Sequence, residues 1–154
     1  MSVHVITVSD TRTVETDSSG RAIVELLEGA GHRVAGRTLL RDEADQVRGE
    51  VQRLASDAAV DVVITTGGTG ITARDGTFEA VDGLLTRRLP GFGELFRSLS
   101  YQQIGAAAML SRATAGLIGQ MVVIVLPGSQ QAVRLALEEL VLPELGHLVR
   151  EARR

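Results

Sequence analysis

The chain lacks two residue types on which many kinds of protein chemistry depend. It contains no cysteine, which excludes a disulfide-stabilised scaffold and any thiolate site for a metal or for redox chemistry. It contains no lysine either: apart from histidine, every basic residue is an arginine. Schiff-base catalysis and a Walker-type phosphate lysine are therefore excluded. A phosphate could be held only by arginine or by backbone N–H groups.

Aromatic residues, positive net charge and long apolar runs are also scarce or absent. Aromatic residues form 3% of the chain, and the formal net charge is −3. Neither a stacking platform for bases nor a basic field for nucleic acid is expected. No apolar run reaches the roughly 18–20 residues of a membrane span, and the N-terminus lacks the charged start of a signal peptide. We expect a soluble cytoplasmic protein that binds neither nucleic acid nor membranes.

The remaining composition indicates one α/β domain. The 154 residues are 44% hydrophobic, which suffices for a single core, so one domain over residues 1–154 is predicted. Short apolar segments alternate with amphipathic ones, as in βαβ units that build a parallel sheet. We expect a three-layer α/β/α domain with a mostly parallel sheet. The predicted strands are 3–8, 32–40, 61–66, 113–117 and 121–126, and the predicted helices are 17–28, 44–56, 77–85, 90–110, 130–140 and a short one from 143.

Three of the predicted strands end in small, hydroxylated or glycine residues. If these strands are parallel, their carboxyl ends meet at one sheet edge, where ligands of α/β proteins bind. Each loop taken alone has an ordinary structural explanation; Ser129, for example, would cap the helix that follows it. The three together favour a phosphate or substrate site. Its candidate residues are Ser9, Asp10, Thr66, Gly67, Gly68, Thr69, Gly70, Pro127, Gly128 and Ser129.

Two aspartates are candidates for binding a metal ion beside this site. Asp42 and Asp75 each follow a predicted strand by a few residues. Mg²⁺ binds one or two carboxylates and completes its shell with water and substrate phosphate oxygens. A helix N-cap is an equally good explanation of Asp42. Four arginines could each pair with a phosphate, although each is individually a weak candidate: Arg12, Arg74, Arg97 and Arg112.

In these segments the sequence resembles the MoaB/MogA family of molybdenum cofactor biosynthesis proteins, and especially its MoaB branch. The matching pieces follow one another through nearly the whole chain, which makes the resemblance specific. They are 8–12, 17–20, 42–43, 65–70, 75–77, 90–97, 100–101, 104–105, 111–113 and 126–129.

The resemblance implies a molybdopterin-binding fold that assembles as a trimer or as a hexamer of two trimers, with other proteins of the cofactor pathway as further partners. It implies binding of molybdopterin, a pterin that carries a dithiolene and a phosphate. Catalytic relatives transfer AMP from Mg²⁺·ATP to that phosphate and release pyrophosphate. The family's two catalytic aspartates match Asp42 and Asp75, and its two pocket-lining loops match Gly67–Gly70 and Pro127–Ser129.

One departure from the family pattern leaves two functions open. Many catalytic relatives have Thr-Pro-Glu-Ala after the aspartate, where this chain has Thr77-Phe78-Glu79-Ala80. A proline there would fix the first helical turn. The resemblance implies a molybdopterin adenylyltransferase that uses Mg²⁺ and ATP, with a non-catalytic molybdopterin-binding or scaffold protein of the same pathway as the alternative. The loops taken without the resemblance would also suit a generic phosphometabolite-binding α/β protein.

Overall fold

The computed structural model describes residues 1–154. The predicted alternation of strands and helices is confirmed. The strands are β1 (Ser2–Val8), β2 (Arg33–Leu40), β3 (Val62–Thr66), β4 (Arg87–Arg88), β5 (Thr114–Ile118) and β6 (Met121–Leu126). The helices are α1 (Ser18–Gly29), α2 (Ala44–Ala55), α3 (Thr77–Asp82), α4 (Pro90–Ile104), α5 (Gln130–Ala136) and α6 (Leu142–Ala152). A 3₁₀ helix (Gly105–Leu110) follows α4, and a π-helical turn (Leu137–Val141) joins α5 to α6.

The strands form one six-stranded sheet in the order β2-β1-β3-β6-β5-β4. The first four of these are parallel, whereas β5 and β4 run antiparallel to their neighbours. The prediction of a mostly parallel sheet is confirmed. The chain leaves β1 toward β2 on one side and reaches β3 on the other. A topological switch point therefore lies between β1 and β3, where the loops diverge and leave a crevice.

Helices cover both faces of the sheet, as the three-layer prediction requires. Alternate residues of the central strands point to opposite faces, so in β3 Ile64 joins one apolar core and Val63 the other. Helices α1, α4, α5 and α6 pack on the first face, and α2 and α3 pack on the second. The parallel strands β1, β3 and β6 are buried on both faces, which explains why they appear as nearly continuous apolar runs in the sequence.

The structure differs from the predicted elements at several boundaries. Helix α4 ends at Ile104 instead of continuing to 110, because Gly105 adopts a positive φ of 67° and the chain continues as a 3₁₀ helix. Strand β4 was not predicted, since Arg87 and Arg88 are exposed and show no apolar alternation. Helices α5 and α6 form one continuous helical run, with the π turn just before Pro143. No helix is long and apolar enough to cross a membrane.

Candidate functional site

A cleft of about 540 Å³ opens at the switch point. The three strand-exit loops predicted to converge do meet there, because β1, β3 and β6 are parallel and end at the same edge. Thirteen of its lining residues are Asp75 and residues of these strand ends and loops. They are Thr7, Val8, Ser9, Arg12, Thr66, Gly67, Gly68, Thr69, Gly70, Asp75, Pro127, Gly128 and Ser129.

The loop Thr66–Gly70, here called the glycine loop, has a backbone that only glycine adopts without strain at two positions. Gly67 has a φ of 95° and Gly68 a φ of 69°. A Cβ atom on Gly67 would lie 2.1 Å from the Val8 carbonyl oxygen, and one on Gly68 would lie 2.1 Å from Thr77 Oγ1. The glycines are therefore required by the close approach of β1 and α3 as well as by φ.

The third loop, Pro127–Ser129, accepts hydrogen bonds from β3 and from α1. Thr66 Oγ1 donates to the Pro127 carbonyl oxygen at 2.8 Å, and Ser19 Oγ donates to the Gly128 carbonyl oxygen at 2.6 Å. Ser129 caps α5 by accepting a hydrogen bond from the Ala132 N–H at 3.1 Å. The predicted cap is thus confirmed, and the Ser129 hydroxyl still has its own proton to donate toward the cleft.

One face of α4 supplies a wall of the cleft that the sequence predictions missed. Phe96, Ser100 and Ile104 are spaced four residues apart and lie on the same side of the helix. Phe96 and Ser100 are buried, whereas Ile104 is 51% exposed. The four-residue spacing is the signal that could have identified this wall. Together with Leu110 from the 3₁₀ helix, this wall makes one side of the cleft apolar, whereas the loops are polar.

Asp75 lines the cleft and is bound to the segment that follows the glycine loop. Its Oδ2 atom accepts hydrogen bonds from the N–H and hydroxyl of Thr72, at 2.9 and 2.7 Å. The Thr72 hydroxyl is the largest of the causes that hold the pKa of Asp75 below its ordinary value. Asp75 is therefore a fixed, ionised carboxylate at neutral pH.

Asp42 lies beside the glycine loop without lining the cleft. Its Oδ1 atom accepts a hydrogen bond from the Gly76 N–H at 3.3 Å and would be 3.1 Å from a Cβ atom on Gly68. Burial, followed by the nearby carboxylates of Asp75 and Asp10, raises the pKa of Asp42. The N-cap position of α2 belongs to Glu43, so capping of that helix does not account for Asp42.

Asp10 lies at the rim in a small ion-pair network outside the cleft lining. Arg74 donates to Asp10 Oδ1 and Oδ2 at 3.0 and 3.1 Å, and to Glu43 Oε1 at 3.0 Å. Asp10 Oδ1 also accepts from the Asp42 N–H at 3.0 Å. The hydrogen bond from Arg74 is the main reason that the pKa of Asp10 is lowered. A direct phosphate-binding role for Asp10 stays a prediction, and its observed contacts orient the segment that carries Asp42.

Among the four candidate arginines, Arg12 alone lines the cleft. Its guanidinium donates to Ser18 Oγ at 3.0 Å and to Ser19 Oγ at 3.4 Å. The other three have different partners in the protein. Arg74 is paired with Asp10 and Glu43, Arg97 donates to two backbone carbonyls, and Arg112 contacts the outer side of the glycine loop and Glu79.

The carboxylates fit a magnesium ion better than a metal held by the protein alone. No group of three or more His, Cys, Asp or Glu side chains is arranged to hold a metal ion. Asp42 and Asp75 do flank the same loop, each close to one of its glycines: a Cβ atom on Gly70 would lie 2.5 Å from Asp75 Oδ2. Mg²⁺ requires few protein ligands when substrate phosphates complete its shell. These residues therefore suit a metal that arrives with a nucleotide.

Comparison with known proteins agrees with this geometry. A family described as "Probable molybdopterin binding domain" matches residues 4–147. The chain is 52% identical over 151 residues to "Molybdenum cofactor biosynthesis protein B" of Bacillus cereus, which covers 97% of this chain and 89% of that protein.

Solved structures match over the whole fold. A crystal structure of a molybdenum cofactor biosynthesis protein B has a TM-score of 0.96 at 51% identity, covering 99% of this chain and 96% of the other. The tungsten cofactor synthesizing protein MoaB from Pyrococcus furiosus has a TM-score of 0.89 at 40% identity, covering 99% and 97%. The chain therefore belongs to the family of molybdopterin-binding domains and, within it, to the MoaB/MogA molybdenum cofactor biosynthesis proteins, as the resemblance in its motifs predicted.

Proposed function

We propose that this protein binds molybdopterin and transfers an adenylyl group from Mg²⁺·ATP to its terminal phosphate. The observation that carries the proposal is that both aspartates lie against the glycine loop: Asp75 is beside Gly70 and lines the cleft where three strand-exit loops converge, and Asp42 is beside Gly68. The family to which the chain belongs supports molybdopterin as the ligand. The ordered carboxylates beside a lysine-free phosphate loop support a magnesium-dependent phosphoryl chemistry.

The cleft has the two kinds of surface that molybdopterin requires. The apolar wall of Phe96, Ile104 and Leu110 suits the flat pterin ring system. The glycine loop offers backbone N–H groups to the phosphate, and the hydroxyl of Ser129 can donate as well. Arg12 supplies the positive charge of the cleft, because it is the one candidate arginine that lines it. Its position against Ser18 and Ser19 keeps the guanidinium at the loop side.

The proposed reaction requires little covalent chemistry from the protein. An oxygen of the molybdopterin phosphate attacks the α-phosphorus of ATP, a new P–O bond forms, and the bond between the α-phosphorus and the oxygen that bridges the α- and β-phosphates breaks. Pyrophosphate leaves with the electron pair, and no proton has to be removed from an ionised phosphate. The residues of the cleft hold the two phosphates in line and exclude competing water. Rigid donors beside the reacting phosphate are favourable because they need no reorganisation during the reaction.

A bound Mg²⁺ would offset the negative charge that builds on the attacked phosphate and the leaving pyrophosphate. Asp75 and Asp42 are the residues that would hold it. Asp75 is ionised at neutral pH because its hydrogen bonds, chiefly that from the Thr72 hydroxyl, lower its pKa. Asp42 has a raised pKa, and a divalent cation would favour its charged form.

The proposal is tested with Asp75→Asn in a turnover assay. Purified protein is incubated with molybdopterin, ATP and Mg²⁺, and both pyrophosphate and the adenylylated product are measured. We expect the variant to keep its fold and its affinity for molybdopterin, since asparagine has nearly the same shape, and to lose about 10²–10³ in rate. Asp45→Asn, an exposed position on α2, is the matched control. Equal turnover in Asp75→Asn and the parent would refute the metal-binding role.

A second candidate is a binding protein that does not turn over ATP. The hydrogen bonds that Asp75 accepts from Thr72 favour it, because they are a structural use of this carboxylate in ordering the segment after the glycine loop. In that case the parent releases no pyrophosphate, although calorimetry with molybdopterin alone detects binding. Absence of both signals would remove molybdopterin as the ligand of the cleft.

We also propose that copies of the chain associate through α4 and the 3₁₀ helix, as a trimer or as a hexamer of two trimers. Large apolar side chains are exposed along this segment: Leu95 is 58% exposed, Tyr101 64% and Met109 77%. Several large apolar side chains exposed along one segment are typical of an interface. Analytical ultracentrifugation of the parent should show the oligomer, and Leu95→Glu should shift it toward monomer. A parent that sediments only as monomer would contradict the proposal.

A further inference from the structure

A small side cavity adjoins the cleft where α4 meets α5. Its volume is about 40 Å³, and four of its seven lining residues also line the cleft. Ser100 and Gln103 from α4 and Gln131 from α5 supply polar side chains to it. A space of this size holds one or a few water molecules, or one exocyclic group of a bound heterocycle, and is too small for a whole ring. The side cavity therefore suits one polar corner of a ligand that lies in the cleft.

Ser100 carries a hydroxyl that the protein itself does not use. The residue is 5% exposed and lies within α4, yet its Oγ atom makes no hydrogen bond to another group of the chain. A serine inside a helix commonly donates to the carbonyl oxygen four residues earlier, which here belongs to Phe96. A buried hydroxyl without a partner costs free energy, so packing alone does not account for Ser100. Because Ser100 lines both the cleft and the side cavity, a ligand is the available partner.

Gln103 and Gln131 line the side cavity as a hydrogen-bonded pair. Gln131 Nε2 donates to Gln103 Oε1 at 3.1 Å and so joins α5 to α4. This bond uses the amino group of one amide and the carbonyl of the other. The Gln131 carbonyl oxygen stays available as an acceptor, and the Gln103 amino group stays available as a donor. An acceptor and a donor side by side match the edge of a heterocycle that carries both an amino group and a carbonyl oxygen.

We propose that these three residues, here called the α4–α5 subsite (Ser100, Gln103 and Gln131), bind the amino–oxo edge of the pterin ring. The inference rests on the proposed function, which places the flat ring on the apolar wall of the cleft. Ser100 and Ile104 are one helical turn apart on the face of α4 that forms this wall, so a ring on the wall brings one edge to the subsite. The exocyclic amino group then donates to Ser100 Oγ and Gln131 Oε1, and the Gln103 amide donates to the oxo group.

The adenine of ATP is the other heterocycle of the proposed reaction, and it matches the subsite less well. Its hydrogen-bonding edge has an amino group and a ring-nitrogen acceptor but no carbonyl oxygen. The pterin edge has an amino group, a ring N–H and a carbonyl oxygen, which together use all three polar side chains. None of the residues Gly67–Gly70 lines the side cavity, so the ring edge and the phosphates occupy different parts of the site.

The first measurement compares two matched probes, 6-hydroxymethylpterin phosphate and the lumazine in which an oxygen atom replaces the 2-amino group. Both probes fluoresce and the chain has no tryptophan, so binding is followed by the polarisation of the probe's fluorescence. We expect the parent to bind the pterin about tenfold more tightly, because the lumazine lacks the amino donor.

Two results of this comparison count against the subsite alone. They are equal affinity for the two probes, and no binding of the pterin probe by a parent that binds molybdopterin. Either result overturns the subsite even if the protein adenylylates molybdopterin. If the parent binds neither the probes nor molybdopterin, the proposed function fails and the subsite fails with it.

The second measurement repeats the titrations with variants of the full chain. Ser100→Ala and Gln131→Ala should each lower the preference for the pterin by about three- to fivefold, the effect of losing one hydrogen bond. Gln103→Ala should weaken both probes about equally, because both carry the oxo group. Gln102→Ala and Gln130→Ala are matched controls, since these exposed neighbours line neither cavity, and both affinities should stay within about twofold of the parent. A loss in the controls as large as in the subsite variants overturns the assignment.

The stability of Ser100→Ala separates ligand binding from a structural role. Because the hydroxyl has no partner in the protein and alanine is the better helix former, the urea midpoint of the free variant should equal or exceed that of the parent. A lower midpoint would mean that the hydroxyl stabilises the free fold, and the proposal would be wrong. Titration with AMP tests the other heterocycle: if Ser100→Ala weakens AMP and leaves the pterin probe unchanged, the subsite holds adenine and the proposal is overturned.

Discussion

The glycine loop offers the sharpest stability test of the site, through the substitution Gly68→Ala. Gly68 has a φ of 69°, and a Cβ atom there would lie 2.1 Å from Thr77 Oγ1 and 3.0 Å from Thr77 Cβ. Thr77 is fully buried, and its N–H donates to the Gly68 carbonyl oxygen at 3.0 Å. The threonine cannot turn away because its side chain is branched at Cβ and enclosed. The added methyl group must therefore displace backbone.

Two terms contribute to the expected loss of stability. A residue with a Cβ atom in the left-handed region costs about 1–2 kcal/mol. Forcing a methyl group into a packed site costs about 1–3 kcal/mol more. We therefore expect Gly68→Ala to lower the free energy of unfolding by about 2–5 kcal/mol, a large share of the roughly 5–15 kcal/mol typical of a domain. Affinity for molybdopterin should fall as well, because the loop N–H groups move.

Two other glycines separate these terms. Gly119 has a φ of 59° with no atom near its Cβ position, so Gly119→Ala should show the backbone term alone, about 1–2 kcal/mol. Gly49 lies within α2 with open space around it, so Gly49→Ala should stabilise the protein by about 0.5–1 kcal/mol. Urea denaturation of the three variants and the parent gives all four free energies. If Gly68→Ala is no more destabilising than Gly119→Ala, the clash with Thr77 does not exist and the geometry argued for the loop is wrong.

Two further substitutions test the charges of the site. Burial raises the pKa of Asp42 above its ordinary value of 3.8, so the folded state binds this proton more tightly than the unfolded chain does. The free energy of unfolding therefore decreases as the pH rises from 3.8 through the pKa of the folded state. Asp42→Asn should therefore raise the urea midpoint at pH 7, with the gain shrinking as the pH falls toward 3.8, while abolishing adenylylation; a lower midpoint at pH 7 would contradict this. Arg12→Gln should weaken molybdopterin binding by at least about tenfold, because a hydrogen bond to a charged group contributes about 1.5–3 kcal/mol. The affinity of the variant, measured by calorimetry, should also depend less on salt concentration. The same affinity in both proteins would exclude Arg12 from phosphate binding.

Much of the fold follows from local patterns in the sequence. The apolar runs of β1, β3 and β6 are continuous because these strands are buried on both faces, which distinguishes them from helices and from edge strands. The turn between β5 and β6 is too short for a crossover helix, so antiparallel pairing was predictable. Strand β4 was not predictable, because its two exposed arginines show no strand pattern of their own and form a strand only by pairing with β5.

The site was predictable to the extent that it lies on loops after parallel strands. Pro127–Ser129 and the glycine loop were located from the glycine and hydroxyl residues that follow apolar runs. The wall formed by α4 was missed, since Phe96 and Ile104 look like ordinary core or surface residues until the helix is docked against the sheet edge. The hydrogen bonds of Arg112 were not predictable either, because its partners Thr69 and Gly70 are more than 40 residues away in the chain.

The sequence by itself therefore determined the class of the fold, the lysine-free chemistry of the cleft and the loops that form it, because strand burial, turn residues and missing residue types are local properties. Only the tertiary structure decided how the charged residues divide their tasks. Asp75 lines the cleft, Asp42 is half-buried beside Gly68, and Asp10 is neutralised by Arg74. The physical reason is that charge and pKa depend on distances between distant segments, and the order of the strands sets those distances.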